Sequence, residues 1–325
     1  MEKLPLRVLN QEDTSRYLPF EGLIPSMRRA FAEGCAAPTR HHHTMQRPDE
    51  ADATLLLMPA WTNPEVSPAY CGVKVVNVFP GNIGRGKPGL TSSYILYDGR
   101  TGEQLLVLDG NTITSRRTAA VAALAADYLA LQNASRLLII GAGRVASLLA
   151  DAYRTVRNLD RIQVWDINPD SAQSLCQKLV ASGYNATVAM DLEEAVGESD
   201  IVSAATLATA PLIKGDWLTE GTHVDLIGAF TPTMREADDS AIVRSSVFID
   251  TSDALMEAGD LVQPMKSGVF SEKSIRATLE DLCRERIRGR TSPDEITVFK
   301  TVGTALADLT AAKMAYEKYR LEGES

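Results

Sequence analysis

The spacing of hydrophobic residues changes near residue 112, and this change separates two kinds of pattern. Before it, short apolar runs such as TLLLMPAW (54–61) and YCGVKVVNV (70–78) are separated by turn residues, which predicts strands and hairpins. The turn GRTGE (99–103) predicts the clearest hairpin. A short helix is expected at residues 25–33, so the first region combines a sheet with little helix.

Beyond residue 112 the pattern is that of alternating helices and strands. The segment SRRTAAVAALAADYLALQ (115–132) is dense in strong helix formers and predicts a helix that joins the two regions. Short apolar runs then predict strands at 136–140, 162–166, 186–189, 201–204, 223–228 and 247–251. Helical segments lie between them, and this order predicts an α/β fold with a doubly wound parallel sheet. The run 301–322 predicts a final helix that returns to the first region.

Composition narrows the classes of function. The 325 residues carry a net charge of -9, and no basic run is present, which argues against nucleic acid as the main partner. No stretch of about 18 uninterrupted apolar residues occurs, so we expect neither export nor membrane spanning. The four cysteines form no CxxC pair, which favours a reducing cytoplasm. A small molecule is therefore the expected ligand of a soluble protein.

A glycine motif follows the first predicted strand of the second region. LLIIGAGRVA places Gly141, Gly143 and Ala146 as GxGxxA at the start of a helix, where a tight turn and free N–H groups can hold a pyrophosphate. Asp166 ends the next strand, where its carboxylate can accept hydrogen bonds from ribose hydroxyls. The same carboxylate would repel a ribose phosphate. We therefore expect NAD(H) to be favoured, with NADP(H) possible.

Three cations of the two regions are candidates for an anion site. Lys74 lies within a run of valines, where a lone cation is costly to bury unless it meets an anion. Arg40 and Arg117 lie near the ends of predicted elements. Taken alone, the residues are equally compatible with an outward-facing Lys74, and they favour a surface position for Arg117 at a helix start.

Five motifs together resemble the ornithine cyclodeaminase and mu-crystallin family. They are MPAW (58–61), GVKVVNVFPGN (72–82), DGNTITSRRTAAVAALAADYLA (109–130), GAGRVA (141–146) and TVFKTVGTALADL (297–309). The resemblance implies a Rossmann domain, residues 118–303, inserted into an α+β substrate-binding and dimerisation domain made of residues 1–117 and 304–325. It also implies a homodimer.

The resemblance assigns roles residue by residue. It implies that Arg40, Lys74 and Arg117 hold a substrate carboxylate, that Lys74 and Arg117 are catalytic, and that Thr91 lines the same pocket. Thr118 matches a residue that touches the cofactor phosphates. The remaining residues assigned to the cofactor site, besides Gly141, Gly143 and Asp166, are Arg144, Val145, Thr206, Gly228 and Gly303.

One position departs from the cyclodeaminase branch. Cyclodeaminases and alanine dehydrogenases carry an Asp two residues after the Gly of a VG-containing strand, whereas this chain has Phe230 in GAFTPTMRE. Phe cannot transfer a proton, which disfavours elimination of ammonia. The segment resembles members that reduce 1-pyrroline-2-carboxylate or 1-piperideine-2-carboxylate to L-proline or L-pipecolate. Alternatives are a cyclodeaminase, a hydroxyproline dehydratase, an alanine dehydrogenase and a mu-crystallin-like binding protein.

Other polar residues have simpler interpretations. His41, His42 and His43 alternate faces if they form a strand, and we expect no metal site. His223 is expected to be structural, and Asp225 could be structural or close to the cofactor. The acid-rich segment 235–239, which contains Glu236, is expected to be a solvated helix start.

Overall fold

The computed structural model describes residues 7–323, and the chain divides into two compact units. The first unit contains the residues up to Arg117 and those from Thr304 onward, and the second is Thr118–Gly303. The elements up to the boundary are β1 (Arg7–Leu9), α1 (Gln11–Arg16), α2 (Phe20–Glu33), β2 (His41–Met45), β3 (Ala53–Trp61), β4 (Tyr70–Val78), β5 (Leu90–Asp98), β6 (Gln104–Asp109) and α3 (Gly110–Leu129).

The remaining elements alternate as the sequence predicts. They are β7 (Arg136–Ile140), α4 (Ala146–Tyr153), β8 (Arg161–Trp165), α5 (Pro169–Ala181), β9 (Ala186–Val188), α6 (Leu192–Gly197), β10 (Ile201–Ala204), β11 (His223–Leu226), α7 (Asp239–Val243), β12 (Ser246–Ile249), α8 (Ala254–Glu257), α9 (Gly259–Lys266), β13 (Ile275–Thr278), α10 (Leu279–Cys283), β14 (Thr297–Lys300) and α11 (Ala305–Gly323).

The first unit is a six-stranded sheet with helices on one face. Its strand order is β1-β6-β5-β4-β3-β2, and every pair is antiparallel except β1 with β6. Helix α2, near the beginning of the chain, packs on α11, the last helix, and α11 also packs on β3 and β4. The predicted return of the last helix to the first region is therefore confirmed. The predicted helix at 25–33 is longer than expected, because it begins at Phe20 after the extended residue Pro19.

The second unit is built on an eight-stranded, wholly parallel sheet. Its strand order is β13-β12-β14-β11-β10-β7-β8-β9, so the order reverses between β7 and β10. Parallel sheets of this kind bind ligands beyond the carboxyl ends of the strands at such a reversal. The predicted doubly wound α/β fold is confirmed. Its β7 places Gly141 directly after Ile140, at that reversal.

The sequence pattern does not predict two strands of this sheet, β13 and β14. β14 is only four residues long, and its sequence TVFK continues directly into the residues of the last helix. Its core position is nevertheless clear, since Val298 packs with Val224 and Leu226 of β11 in the apolar core of this unit. Among residues 7–323, no helix has both the length and the apolar character needed to cross a membrane.

Candidate active site

Lys74 points into the first unit and not toward solvent. Burial alternates along β4, and the buried positions are Tyr70, Gly72, Lys74 and Val76. Lys74 is paired in register with Met58 on one side and Tyr94 on the other, and both neighbours are buried. The interpretation of Lys74 as an outward-facing side chain is therefore wrong, and its ammonium group needs an anion.

The anion that meets Lys74 is Asp308, which the sequence did not reveal. Lys74 Nζ lies 2.7 Å from Asp308 Oδ2, and Arg117 Nε donates a hydrogen bond of 3.0 Å to Asp308 Oδ1. Asp308 is fully buried, and Lys74 and Arg117 are 2% and 5% exposed. Two buried cations thus share one carboxylate, and the interpretation of Arg117 as a surface residue is also wrong.

The protonation of this cluster follows from burial and charge together. Burial, together with the charge of Arg117, lowers the pKa of Lys74 to about 8, although Asp308 opposes the shift. Burial alone would raise the pKa of Asp308, but the charges of Lys74 and Arg117 outweigh it, so the pKa lies below its usual range. At neutral pH the cluster therefore holds two cations and one anion, with one positive charge in excess.

Two other residues, Arg40 and Thr91, are assigned to this pocket, and of these two the structure places Arg40 near Lys74. Arg40 directly precedes β2, and its charge contributes to lowering the pKa of Lys74. Thr91 is exposed and pairs with Asn77, three residues from Lys74, so it lies on the opposite face of the sheet. The register therefore does not support Thr91 as a lining residue. The next residue, Ser92, is buried on the Lys74 face instead.

The glycine motif forms a turn at the carboxyl end of β7. Gly141 has φ +101°, a conformation that other residues rarely adopt, and a Cβ there would lie 2.7 Å from the Ala205 carbonyl oxygen. A Cβ on Gly143 would meet nothing within 4 Å, so its surroundings are open. A groove of about 280 Å³ lies beside the turn, lined by Ala142, Ser147 and residues of α5. A tight turn followed by an unobstructed backbone is the arrangement that a dinucleotide pyrophosphate requires.

Asp166 follows β8 and is held against the glycine turn. Its Oδ2 accepts a hydrogen bond of 2.8 Å from Ala142 N, and its Oδ1 accepts one of 2.8 Å from Asn168 N. These two amides fix the carboxylate at the end of the strand. Arg144 and Val145 lie within the same turn, with Val145 directly before α4. Thr118 is buried on α3, directly after Arg117.

Thr206 and Gly228 are held together by the carboxylate of Glu236, for which the sequence indicates no function. Glu236 Oε1 accepts hydrogen bonds from the Thr206 N–H at 2.7 Å and its hydroxyl at 2.9 Å, and Oε2 accepts one from Gly228 N at 2.6 Å. Thr206 and Gly228 lie in the loops after β10 and β11. Burial raises the pKa of Glu236 to about 7, although Lys300 opposes this effect.

The expectation that this acid-rich segment is solvated is therefore wrong for Glu236, which is fully buried. Neighbouring Asp238 does cap α7, as its Oδ1 accepts from Ala241 N. A related arrangement holds the loop after β14, where Asp250 Oδ2 accepts from Gly303 N at 2.7 Å. The signal for both carboxylates is weak in sequence, because their partners lie in other loops.

His223 and Asp225 form a buried pair inside the second unit. His223 Nδ1 lies 2.9 Å from Thr297 Oγ1, and its Nε2 lies 3.3 Å from Asp225 Oδ1. Burial raises the pKa of Asp225 well above its usual range and lowers that of His223. Both side chains are fully buried within the parallel sheet. Over residues 7–323, no group of three or more His, Cys, Asp or Glu residues is arranged to hold a metal ion.

A family comparison covers almost the whole chain. The model of the ornithine cyclodeaminase/mu-crystallin family matches residues 8–323. The chain belongs to this family. Among family relatives, a Delta(1)-pyrroline-2-carboxylate reductase of Colwellia psychrerythraea is 34% identical over 96% of this chain and 99% of its own length.

Two solved structures share the fold over nearly all residues. The Delta(1)-pyrroline-2-carboxylate reductase of Thermococcus litoralis, in complex with NADH and L-proline, matches with a TM-score of 0.91 and 33% identity over 97% of this chain and 98% of that one. An archaeal alanine dehydrogenase dimer with bound NAD matches with a TM-score of 0.88 and 28% identity over 98% of this chain and 97% of that one.

Proposed function

We propose that this protein is an oxidoreductase that reduces 1-pyrroline-2-carboxylate and/or 1-piperideine-2-carboxylate to L-proline and L-pipecolate with NAD(P)H. The observation that carries the proposal is the buried cluster in which Lys74 and Arg117 share Asp308. Its excess positive charge suits a small monocarboxylate. Family relatives with this named activity, and the reductase of Thermococcus litoralis with its NADH and L-proline, support the same class of substrate.

The residues of the cluster have separate tasks in this reaction. Arg117 binds the substrate carboxylate, and Arg40 adds positive charge near it. Lys74 holds a proton at neutral pH, and its lowered pKa makes it a better acid for the imine nitrogen. Once the nitrogen is protonated, the imine carbon accepts hydride far more readily. NADH, when bound, supplies that hydride.

The second unit fits a dinucleotide with a free ribose. The open space at Gly143 leaves room for a pyrophosphate, and Arg144, Val145, Thr206, Gly228 and Gly303 lie at the carboxyl ends of the same parallel strands. Asp166, anchored by two amides, favours NADH because its charge would repel the additional phosphate of NADPH. That NADPH is also used, and that Thr118 contacts the phosphates, stay predictions.

The test is a substrate and cofactor panel followed by NADH absorbance. We expect oxidation of NADH with at least one of the two ketimines, and a slower rate with NADPH. Asp166→Ser should narrow the difference between the two cofactors about tenfold. A protein that oxidises neither cofactor with either ring would contradict the proposal.

The same panel separates the alternatives. Phe230 is 46% exposed and lies where a cyclodeaminase has its proton-transferring Asp, so we expect no ammonia release from ornithine. Pyruvate with ammonia tests alanine dehydrogenase activity, and hydroxyprolines without added cofactor test dehydration. Ligand binding without turnover would favour a mu-crystallin-like binding protein.

We also propose that the protein is a homodimer. The sheet face away from α11 carries Leu57, Val73, Val75, Ile95 and Val107, all apolar and only partly buried. A second copy packed on this face would remove those side chains from water. Light scattering after size-exclusion chromatography should give twice the mass of the chain. Action in the cytoplasm stays a prediction.

A further inference from the structure

We infer that Asp308 is a positioning residue of the carboxylate site: it orients Arg117 toward the substrate carboxylate and holds Lys74 where it can deliver a proton. The inference rests on the proposed function. Asp308 lies in the first turn of α11, Lys74 in β4 and Arg117 in α3, so one carboxylate joins three elements through residues of the first unit.

The geometry leaves a defined part of Arg117 for a ligand. Its Nε is bonded to Asp308 Oδ1, whereas its two terminal nitrogens make no hydrogen bond to any of residues 7–323. The side chain is 6% exposed, so these nitrogens are largely withdrawn from water. A planar guanidinium held at one edge can present parallel donors to a carboxylate. Asp308 therefore selects which nitrogens remain for the substrate.

Asp308 constrains Lys74 in a similar way. An ammonium group has three donors, and the 2.7 Å contact with Asp308 Oδ2 engages one side of it. The charged or titratable groups that face Lys74 are Asp308, Arg117, Arg40 and, on the neighbouring strand, Tyr94. Among them only Asp308 is an anion at neutral pH. Without it, Lys74 would face two arginines and would lose its proton at lower pH.

Asp308→Asn is the closest test, because it removes the charge and keeps the volume. We expect kcat/KM for the preferred ketimine to fall about 100-fold, as expected when catalytic groups lose their alignment. We also expect the alkaline limb of the kcat/KM profile to move to lower pH. Asp308→Glu keeps the charge on a longer arm, so its alkaline limb should stay near that of the wild type while kcat/KM falls.

Two controls separate positioning from a general loss of structure. Glu317→Gln changes a second acid on α11, one that is only partly buried, and should alter kcat/KM less than about twofold. NADH affinity, measured by fluorescence, should be unchanged in both Asp308 variants. If Asp308→Asn does not fold, the Asp308→Glu profile decides the question. An unmoved alkaline limb in Asp308→Asn, or kcat/KM within threefold of the wild type in either folded variant, would overturn the inference.

A binding measurement tests the role of Asp308 even if the protein reduces neither ketimine. If the wild type reduces neither ketimine, the proposed substrate is wrong, and pyrrole-2-carboxylate serves as a planar carboxylate probe in a calorimetric titration. Binding by the wild type that is at least tenfold weaker in the Asp308 variants would still support the role of Asp308. Equal binding by the variants, or no binding by the wild type, would overturn it.

Discussion

The two units use carboxylates in opposite ways. In the first unit Asp308 pairs with two cationic side chains, and the three charged groups come from β4, α3 and α11. In the second unit Asp166 and Glu236 accept hydrogen bonds mostly from backbone amides of loops at the sheet edge. The first arrangement supplies charge for a ligand. The second arrangement fixes the conformation of the loops, while Gly143 leaves the backbone of the glycine turn unobstructed.

The largest loss of activity is expected from Arg117→Met, which removes one cation of the cluster in the first unit. Truncating one partner of a buried, hydrogen-bonded charge pair weakens ligand binding by about 2–5 kcal/mol, so kcat/KM for the ketimine should fall roughly a thousandfold. NADH affinity should stay unchanged, because the glycine turn and its carboxylates belong to the second unit. Steady-state kinetics and NADH fluorescence measure the two quantities.

Arg116→Met is the matched control for this variant. Arg116 is adjacent on α3, but it donates to the Leu18 carbonyl oxygen and the Ser15 hydroxyl and stacks on Phe20. It should lose some stability and keep kcat/KM within a few-fold. Equal kinetic losses in both variants would contradict the assignment of Arg117.

A smaller effect is expected from Glu236→Gln, and it depends on pH. Because the pKa of Glu236 is about 7 in the folded protein against 4.5 ordinarily, the folded state binds more protons than the unfolded chain between these values. The free energy of unfolding should therefore fall, by up to about 3 kcal/mol from this residue, as the pH rises through that window. The variant should lack this component in urea unfolding at pH 5 and pH 7.5.

Gln at this position also brings an amide donor against backbone donors, so the variant should be less stable than the wild type at pH 5. Exposed Glu220→Gln is the control, and it should leave the pH dependence unchanged. The same slope in Glu236→Gln as in the wild type would show that Glu236 does not titrate in this range.

The smallest effects separate two glycines of one turn. Gly143→Ala adds a Cβ that meets no protein atom, so stability should change by less than about 0.5 kcal/mol while NADH binds roughly tenfold more weakly. Gly141→Ala forces a side chain onto a residue with φ +101° and against Ala205, so it should also lose about 1–3 kcal/mol of stability. A stability loss in Gly143→Ala equal to that in Gly141→Ala would contradict this distinction.

How far the sequence predicts the molecule depends on how local each signal is. The glycine turn, Asp166 and the strands beside them follow from adjacent residues and are found without a structure. The adjacent valines likewise indicate that Lys74 needs an anion if it is buried. That anion, Asp308, lies far along the chain in the first turn of a helix, where the helix dipole already explains an acidic residue.

The burial of Glu236 is missed for the same reason, because its partners are also distant in sequence. Its segment is rich in acids, which predicts exposure to solvent, and nothing nearby in sequence indicates that two loops surround the carboxylate. Thr91 illustrates a different limit, since one residue of register decides which face of a strand a side chain occupies, and here it places Thr91 on the face away from Lys74. The strand β14 is missed because its residues TVFK continue directly into the segment that predicts the last helix.

The place of Asp308 along the chain has a consequence for biosynthesis. A nascent polypeptide that has already emerged with Lys74 and Arg117 cannot neutralise them internally until the ribosome has translated α11. The second unit, by contrast, is one continuous stretch, so its folding need not wait. The carboxylate site should therefore mature last, and ribosomes stalled before α11 should carry a folded nucleotide-binding unit attached to an unfinished partner.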